Sequence, residues 1–207
     1  MTRTHRNSTR REFLTKTAVS LSIVLLPACA SSSVGSTGEE PVPSYEYADI
    51  FYLNRDDSGA GDNWVGFGFS GSIRVDNHLR LLGEFRSVVN DDSPGDDIDV
   101  LEAGFGYYLP LLKQTDLVLD LGFIDEENEA WGSAVSSTVL QLGAHVRTRL
   151  LGPVELELGL THYNYDDPDT AFDLGAIYHL SESFGLAVRL ADGERRSALR
   201  FGARLNL

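Results

Sequence analysis

One cysteine in 207 residues leaves no intramolecular disulfide and no cysteine-rich zinc centre. Basic residues are scarce too: 17 Lys and Arg stand against 31 Asp and Glu, for a formal net charge of -14. That deficit excludes a nucleic-acid groove, because phosphates are neutralised by Lys and Arg. No apolar run is long enough for a membrane-spanning helix; residues 18–26 fall about 11 residues short. A sustained helical stripe bounded by caps is also missing, while glycine is plentiful at 20. The length fits one domain.

The first thirty residues read as a leader, with basic side chains ahead of the modest apolar stretch and small residues after it. Arg10-Arg11 followed by Phe13-Leu14 resembles a twin-arginine signal, with Thr15 where that motif prefers Lys. The same basic region serves the ordinary secretory route equally well. Leu26-Pro27-Ala28-Cys29 resembles a lipobox, which would make Cys29 a lipidated N-terminus; cleavage after Ala30 is the competing outcome. Removing residues 1–30 leaves 12 basic against 30 acidic side chains. Residues 31–43, rich in Ser, Gly and Pro, read as a flexible linker. The folded domain is then expected over 44–207.

From Tyr45 onward the dominant period is two. Ten strands are expected, at 45–53, 64–75, 78–89, 98–109, 115–124, 136–150, 154–165, 170–179, 184–190 and 196–207. Most have about the length that a tilted strand needs to cross a bilayer. Their connections alternate between short turns (76–77, 110–114, 151–152, 181–183) and mostly longer acidic loops (54–63, 90–97, 125–135, 166–169, 191–195). Short turns on one rim and longer loops on the other suit an all-β, ten-stranded, antiparallel up-and-down transmembrane barrel, its short turns periplasmic and its acidic loops extracellular. Asp56-Asp57, Asp91-Asp92 and Asp96-Asp97 lack the ordered spacing of a calcium loop, so they read as solvated loops able at most to bridge divalent cations loosely to lipopolysaccharide.

Period two alone does not separate a membrane barrel from a soluble ligand-binding one; the second face of each strand decides. Val65, Phe67, Phe69 and Ile73 alternate with Gly66, Gly68, Ser70 and Ser72. Leu140, Leu142 and Val146 alternate with Gln141, Gly143, His145 and Arg147. Glycine recurs on the polar parity, at Gly104, Gly106, Gly122, Gly159, Gly175 and Gly185, with Gly71 and Gly83 as exceptions. A soluble exterior has no use for glycine there, whereas a narrow, curved lumen has. The apolar parity is therefore expected to face hydrocarbon. Trp64, Phe123, Tyr165 and Phe172 at one rim, and Tyr107, Tyr108, Tyr178 and Phe184 at the other, are expected to form two interfacial belts.

In these features residues 45–207 resemble the small outer-membrane β-barrels of Gram-negative bacteria, in the style of OmpX and the OmpA transmembrane barrel but with ten strands. The C-terminal Arg200-Phe201-Gly202-Ala203-Arg204-Leu205-Asn206-Leu207 looks like their assembly signal, carried by Gly202, Leu205 and Leu207. The terminal Leu departs from the usual Phe. The resemblance implies an outer-membrane location, with outer-membrane lipids, lipopolysaccharide and the barrel-assembly machinery as partners.

The inward parity mixes Arg74, Arg80, Arg86, Arg189, Arg200 and Arg204 with Glu84, Asp116, Asp120 and Asp173. A turn centred on Leu151 would set Arg147 opposite Glu155 and His145 opposite Glu157; a matching argument sets Arg86 opposite Glu102. Opposite charges tolerate a confined interior when paired, so the lumen is expected to be plugged. For catalysis, His162 with Asp166 or Asp167 is the one candidate constellation, and it lacks a neighbouring Ser. His145 and His179 read as lumen hydrogen-bonders, since no third metal ligand stands at a characteristic spacing. No cofactor is called for. The leading expectation is a non-enzymatic barrel for envelope structure or surface interaction. A narrow channel for small solutes or ions, and a lipid-anchored periplasmic soluble binding barrel, are the alternatives.

Overall fold

Alternation of apolar with small or charged residues builds extended chain throughout, and the two faces it creates determine how the sheet closes. The computed structural model describes residues 43–57, 62–93, 95–130, 133–150 and 152–207; the expected leader, Cys29 and residues 31–42 of the linker lie outside them. Ten strands follow in chain order: β1 (Tyr47–Asp57), β2 (Asp62–Arg74), β3 (Leu79–Asn90), β4 (Asp97–Leu112), β5 (Thr115–Ala130), β6 (Ser133–Arg149), β7 (Val154–Tyr163), β8 (Asp169–His179), β9 (Phe184–Asp192) and β10 (Arg196–Asn206). Each pairs antiparallel with its chain neighbours, and β1 pairs with β10, so the sheet is a closed barrel without free edges.

The strands are steeply tilted. A row of partners begun at Tyr47, the first residue of β1, passes through Ser72 on β2 and reaches Tyr163, the last residue of β7. Closure of so few strands demands such a tilt.

Three local differences from the sequence reading have physical causes. Residues 125–135, expected as a loop, mostly extend β5 and β6 into a long hairpin. Asp125 stands opposite Thr138, and the Thr138 and Ser136 hydroxyls donate to its carboxylate at 3.3 and 3.4 Å. Acidic side chains are accommodated in a strand when hydroxyls answer them across the ladder. At the other rim β4 continues past Pro110 to Leu112 through a bulge, where a proline's missing N–H is tolerated. Tyr45 precedes the first strand instead of lying in it.

The outer wall is apolar. Phe67, Leu142 and Phe201 are 64 %, 47 % and 59 % exposed, whereas Arg147 and Glu155 are 2 % and 1 % exposed. Along β2 and the residue that follows it the outward apolar positions run from Val65 to Val75, a height of roughly 25 Å at the usual strand rise and a tilt of about 40°. Toward the long-hairpin rim the outward positions become polar at Asn54, Asn63, Asp99 and Glu127.

The closed lumen as candidate functional site

Inward side chains form successive layers. Toward the long-hairpin rim, Phe51, Leu53, Trp64, Val88, Ile98, Val100, Ile124 and Val139 make a buried apolar cluster, with Tyr163, Tyr165 and Ala198 packed against it. Its place was hidden in β1, whose two faces are both partly apolar: Ile50 and Tyr52 point outward, Phe51 and Leu53 inward. Phe51 fits because its partners across both ladders are Gly68 and Gly202. A Cβ added at Gly202 would meet the Ile50 carbonyl and come within 2.8 Å of the Phe51 Cβ. Gly202→Ala is therefore expected to destabilise the purified, refolded barrel by about 1–3 kcal/mol through overpacking. The urea midpoint in detergent measures this apart from any effect on cellular assembly; an unchanged midpoint would contradict the packing.

Above this layer, Arg55 bonds Asp57 at 2.8 Å and lies 3.6 Å from Glu126. Arg196 reaches Glu126 at 3.0 Å and covers the Tyr165 ring at 4.5 Å. Burial of the Tyr165 phenol raises its pKa, so it stays neutral and accepts the Arg196 hydrogen bond. Trp64 and Tyr165 thus belong to the lumen seal and not to an interfacial belt. Phe123 and Phe172, also expected at that rim, do face outward.

Below the apolar layer lies an ionic network. The structure brings each anticipated charge pair together, though along different ladder positions. Arg147 bonds Glu155, but its direct partner in the register is Glu157. His145 sits 3.9 Å from Glu157 and stands opposite Gly159. Arg86 lies 3.8 Å from Glu102 and stands opposite Val100. The β6–β7 turn is centred one residue later than expected, closing with Leu150 N–H donating to the Val154 carbonyl at 2.8 Å around Gly152, whose φ of 93° favours glycine. Long side chains then reach diagonally across the tilted sheet. Glu84, which the sequence left without a partner, accepts from Arg86 and from Arg200, the latter at 2.6 Å. Arg204 makes a two-pronged pair with Asp49 at 2.8 and 2.7 Å, and Arg80 reaches both Asp120 oxygens from one nitrogen, Nη2, at 3.0 and 3.1 Å. His179 lies 3.4 Å from Glu155. Within the network remains a polar chamber of about 110 Å³, walled by groups such as Ser70, Glu84, Glu102, Asp120, Gln141 and Arg200.

Toward the short-turn mouth lies a fourth layer, a buried cluster of Tyr45, Tyr108 and Val118. Tyr108 therefore points inward, against the interfacial role expected of it, while Tyr107, Tyr178 and Phe184 face outward. On the C-terminal strand, Gly202 faces the lumen beside Phe51, whereas Leu205 and Leu207 are exposed on the outside.

His162 and Asp167 of the candidate catalytic constellation each have another partner. His162 Nδ1 lies 2.9 Å from the Thr170 hydroxyl, and Asp167 pairs with Arg195 at 2.7 Å. Among the described residues no group of three or more His, Cys, Asp or Glu could hold a metal ion.

No family model matches the chain, and no curated protein matches it. Solved barrels do resemble it. The KdgM porin, solved in complex with disordered oligogalacturonate, is 8 % identical, with 78 % of this chain and 99 % of that one covered and a TM-score of 0.46. An outer membrane channel from Pseudomonas putida F1 is 13 % identical over 83 % of this chain and all of its own, at 0.47. Neisserial surface protein A is 15 % identical over 78 % of this chain and 95 % of its own, at 0.40. At such identities the likeness is one of architecture; what fills the lumen is decided by this chain's own side chains.

Proposed function

We propose that this chain is a non-enzymatic outer-membrane β-barrel of a Gram-negative envelope, its lumen closed, serving envelope structure or surface interaction. The observation that carries the reading is the inversion of the soluble pattern: large apolar residues cover the outside and ion pairs fill the inside. A closed barrel satisfies every ladder hydrogen bond internally, which is the condition for strands in hydrocarbon. A lipid-anchored soluble binding barrel would need its apolar face turned inward, so replacing Cys29 is expected to leave the protein dependent on detergent. Acyl chains are the partner of the wall, lipopolysaccharide and loosely bridging divalent cations of the acidic rim, and the assembly machinery of the last strand.

Fractionation of cells is expected to place the chain in the outer membrane, with a band whose migration on a denaturing gel changes on heating. Recovery in the soluble periplasmic fraction would contradict the proposal. The polar chamber supports a second reading, a narrow conduit for ions or small solutes. Planar-bilayer recording separates the two: closed layers at both ends lead us to expect no large, stable conductance steps, and such steps would favour the conduit.

A further inference from the structure

We infer that Tyr45 is a removable stopper in the short-turn mouth, a piece of the segment ahead of β1 that closes the barrel without being part of its wall. The inference rests on the membrane-barrel reading and adds to it that the plug has a detachable end. Leu207 N–H donates to the Glu46 carbonyl at 3.0 Å, next to the first residue pair of the β1–β10 ladder, Tyr47 with Asn206. Tyr45 lies outside the strands, yet is only 2 % exposed.

Its contacts come from five different strands. The phenol donates to Asp116 on β5 at 2.6 Å, and the carbonyl accepts from Ser72 on β2, also at 2.6 Å. The ring stacks on Tyr108 of β4, with centroids 4.1 Å apart and planes 11° from parallel. The guanidiniums of Arg147 on β6 and Arg80 on β3 lie 4.9 and 5.3 Å from the ring centroid. All of these are contacts of a single residue ahead of the ladder, so the segment can withdraw while every strand pair stays intact. Arg80 also lines the polar chamber, so the ring lies across the route from that chamber to the short-turn side. The residues preceding it in sequence carry the linker composition that would let tension or a bound partner on that side pull it out.

The test places a thiol in the chamber, Ser70→Cys in a full chain carrying Cys29→Ala, and times its modification in detergent by a small cationic methanethiosulfonate. Tyr45→Ala is expected to speed labelling at least tenfold, whereas Tyr45→Phe and Asp116→Asn, which remove or weaken the phenol–carboxylate hydrogen bond but keep the ring, are expected to speed it by less. Asn77→Cys, on an exposed turn, gives the rate for unhindered thiol. A heat-modifiable band in each variant reports a folded barrel, so failure of the fold is distinguished from failure of the stopper. Folded Tyr45→Ala and Asp116→Asn proteins that label at the parent rate would overturn the inference. If Tyr45→Ala does not fold, Asp116→Asn alone decides.

Discussion

Arg147→Ala is expected to cost the folded barrel about 3–5 kcal/mol, measured as a fall in unfolding free energy in urea with lipid vesicles. Arg147 and Glu155 are among the most deeply enclosed side chains of the lumen, and they bond each other directly. Removing the guanidinium leaves the carboxylate in a confined space with the His179 ring 3.4 Å away. The large effect is the isolation of a charge and not the worth of the pair. Accordingly, Arg147→Met combined with Glu155→Leu is expected to recover most of the loss, since apolar pairs of similar volume replace buried ion pairs at little cost. A double variant as unstable as the single one would contradict this account of the lumen.

Phe69→Arg is expected to produce the second large effect, about 2–4 kcal/mol lost in lipid vesicles, because the side chain lies near the middle of the outward run from Val65 to Val75. Leu142→Arg on the opposite part of the wall is expected to behave alike. The comparison between solvents is what matters here. On a wall facing water, an exposed apolar-to-charged replacement changes stability by only a few tenths of a kcal/mol. A destabilisation that is present in vesicles and lost in mild detergent would locate these residues in the hydrocarbon.

Much of the architecture is legible in the sequence because a strand's side-chain period is two and one face of this sheet is uniformly apolar. The parity of Phe67, Leu142 and Phe201 outward, and of Arg147 and Glu155 inward, follows from alternation alone. Trp64 obeys the same alternation, sharing its parity with Gly66 and Gly68, and an interfacial role for it ignored that signal. The exact partners across the ladders were not readable. A turn centred one residue later than expected, at Gly152, moves Arg147 from opposite Glu155 to opposite Glu157, and composition does not specify the turn. Nor did local polarity disclose the β5–β6 hairpin, where strand is maintained by hydroxyls across from Asp125. Tyr45 was invisible for a different reason: its partners come from five strands and meet only when the barrel closes.

The outward orientation of the apolar wall is tested most directly by nitroxide spin labels placed singly at Phe67, Leu142 and Phe201 of the chain carrying Cys29→Ala, reconstituted in vesicles. Relaxation by dissolved oxygen is expected to be strong at all three, and relaxation by a water-soluble nickel chelate weak, with the opposite order at Asn77. Ready access of the nickel chelate to all three wall positions would contradict the membrane-facing wall.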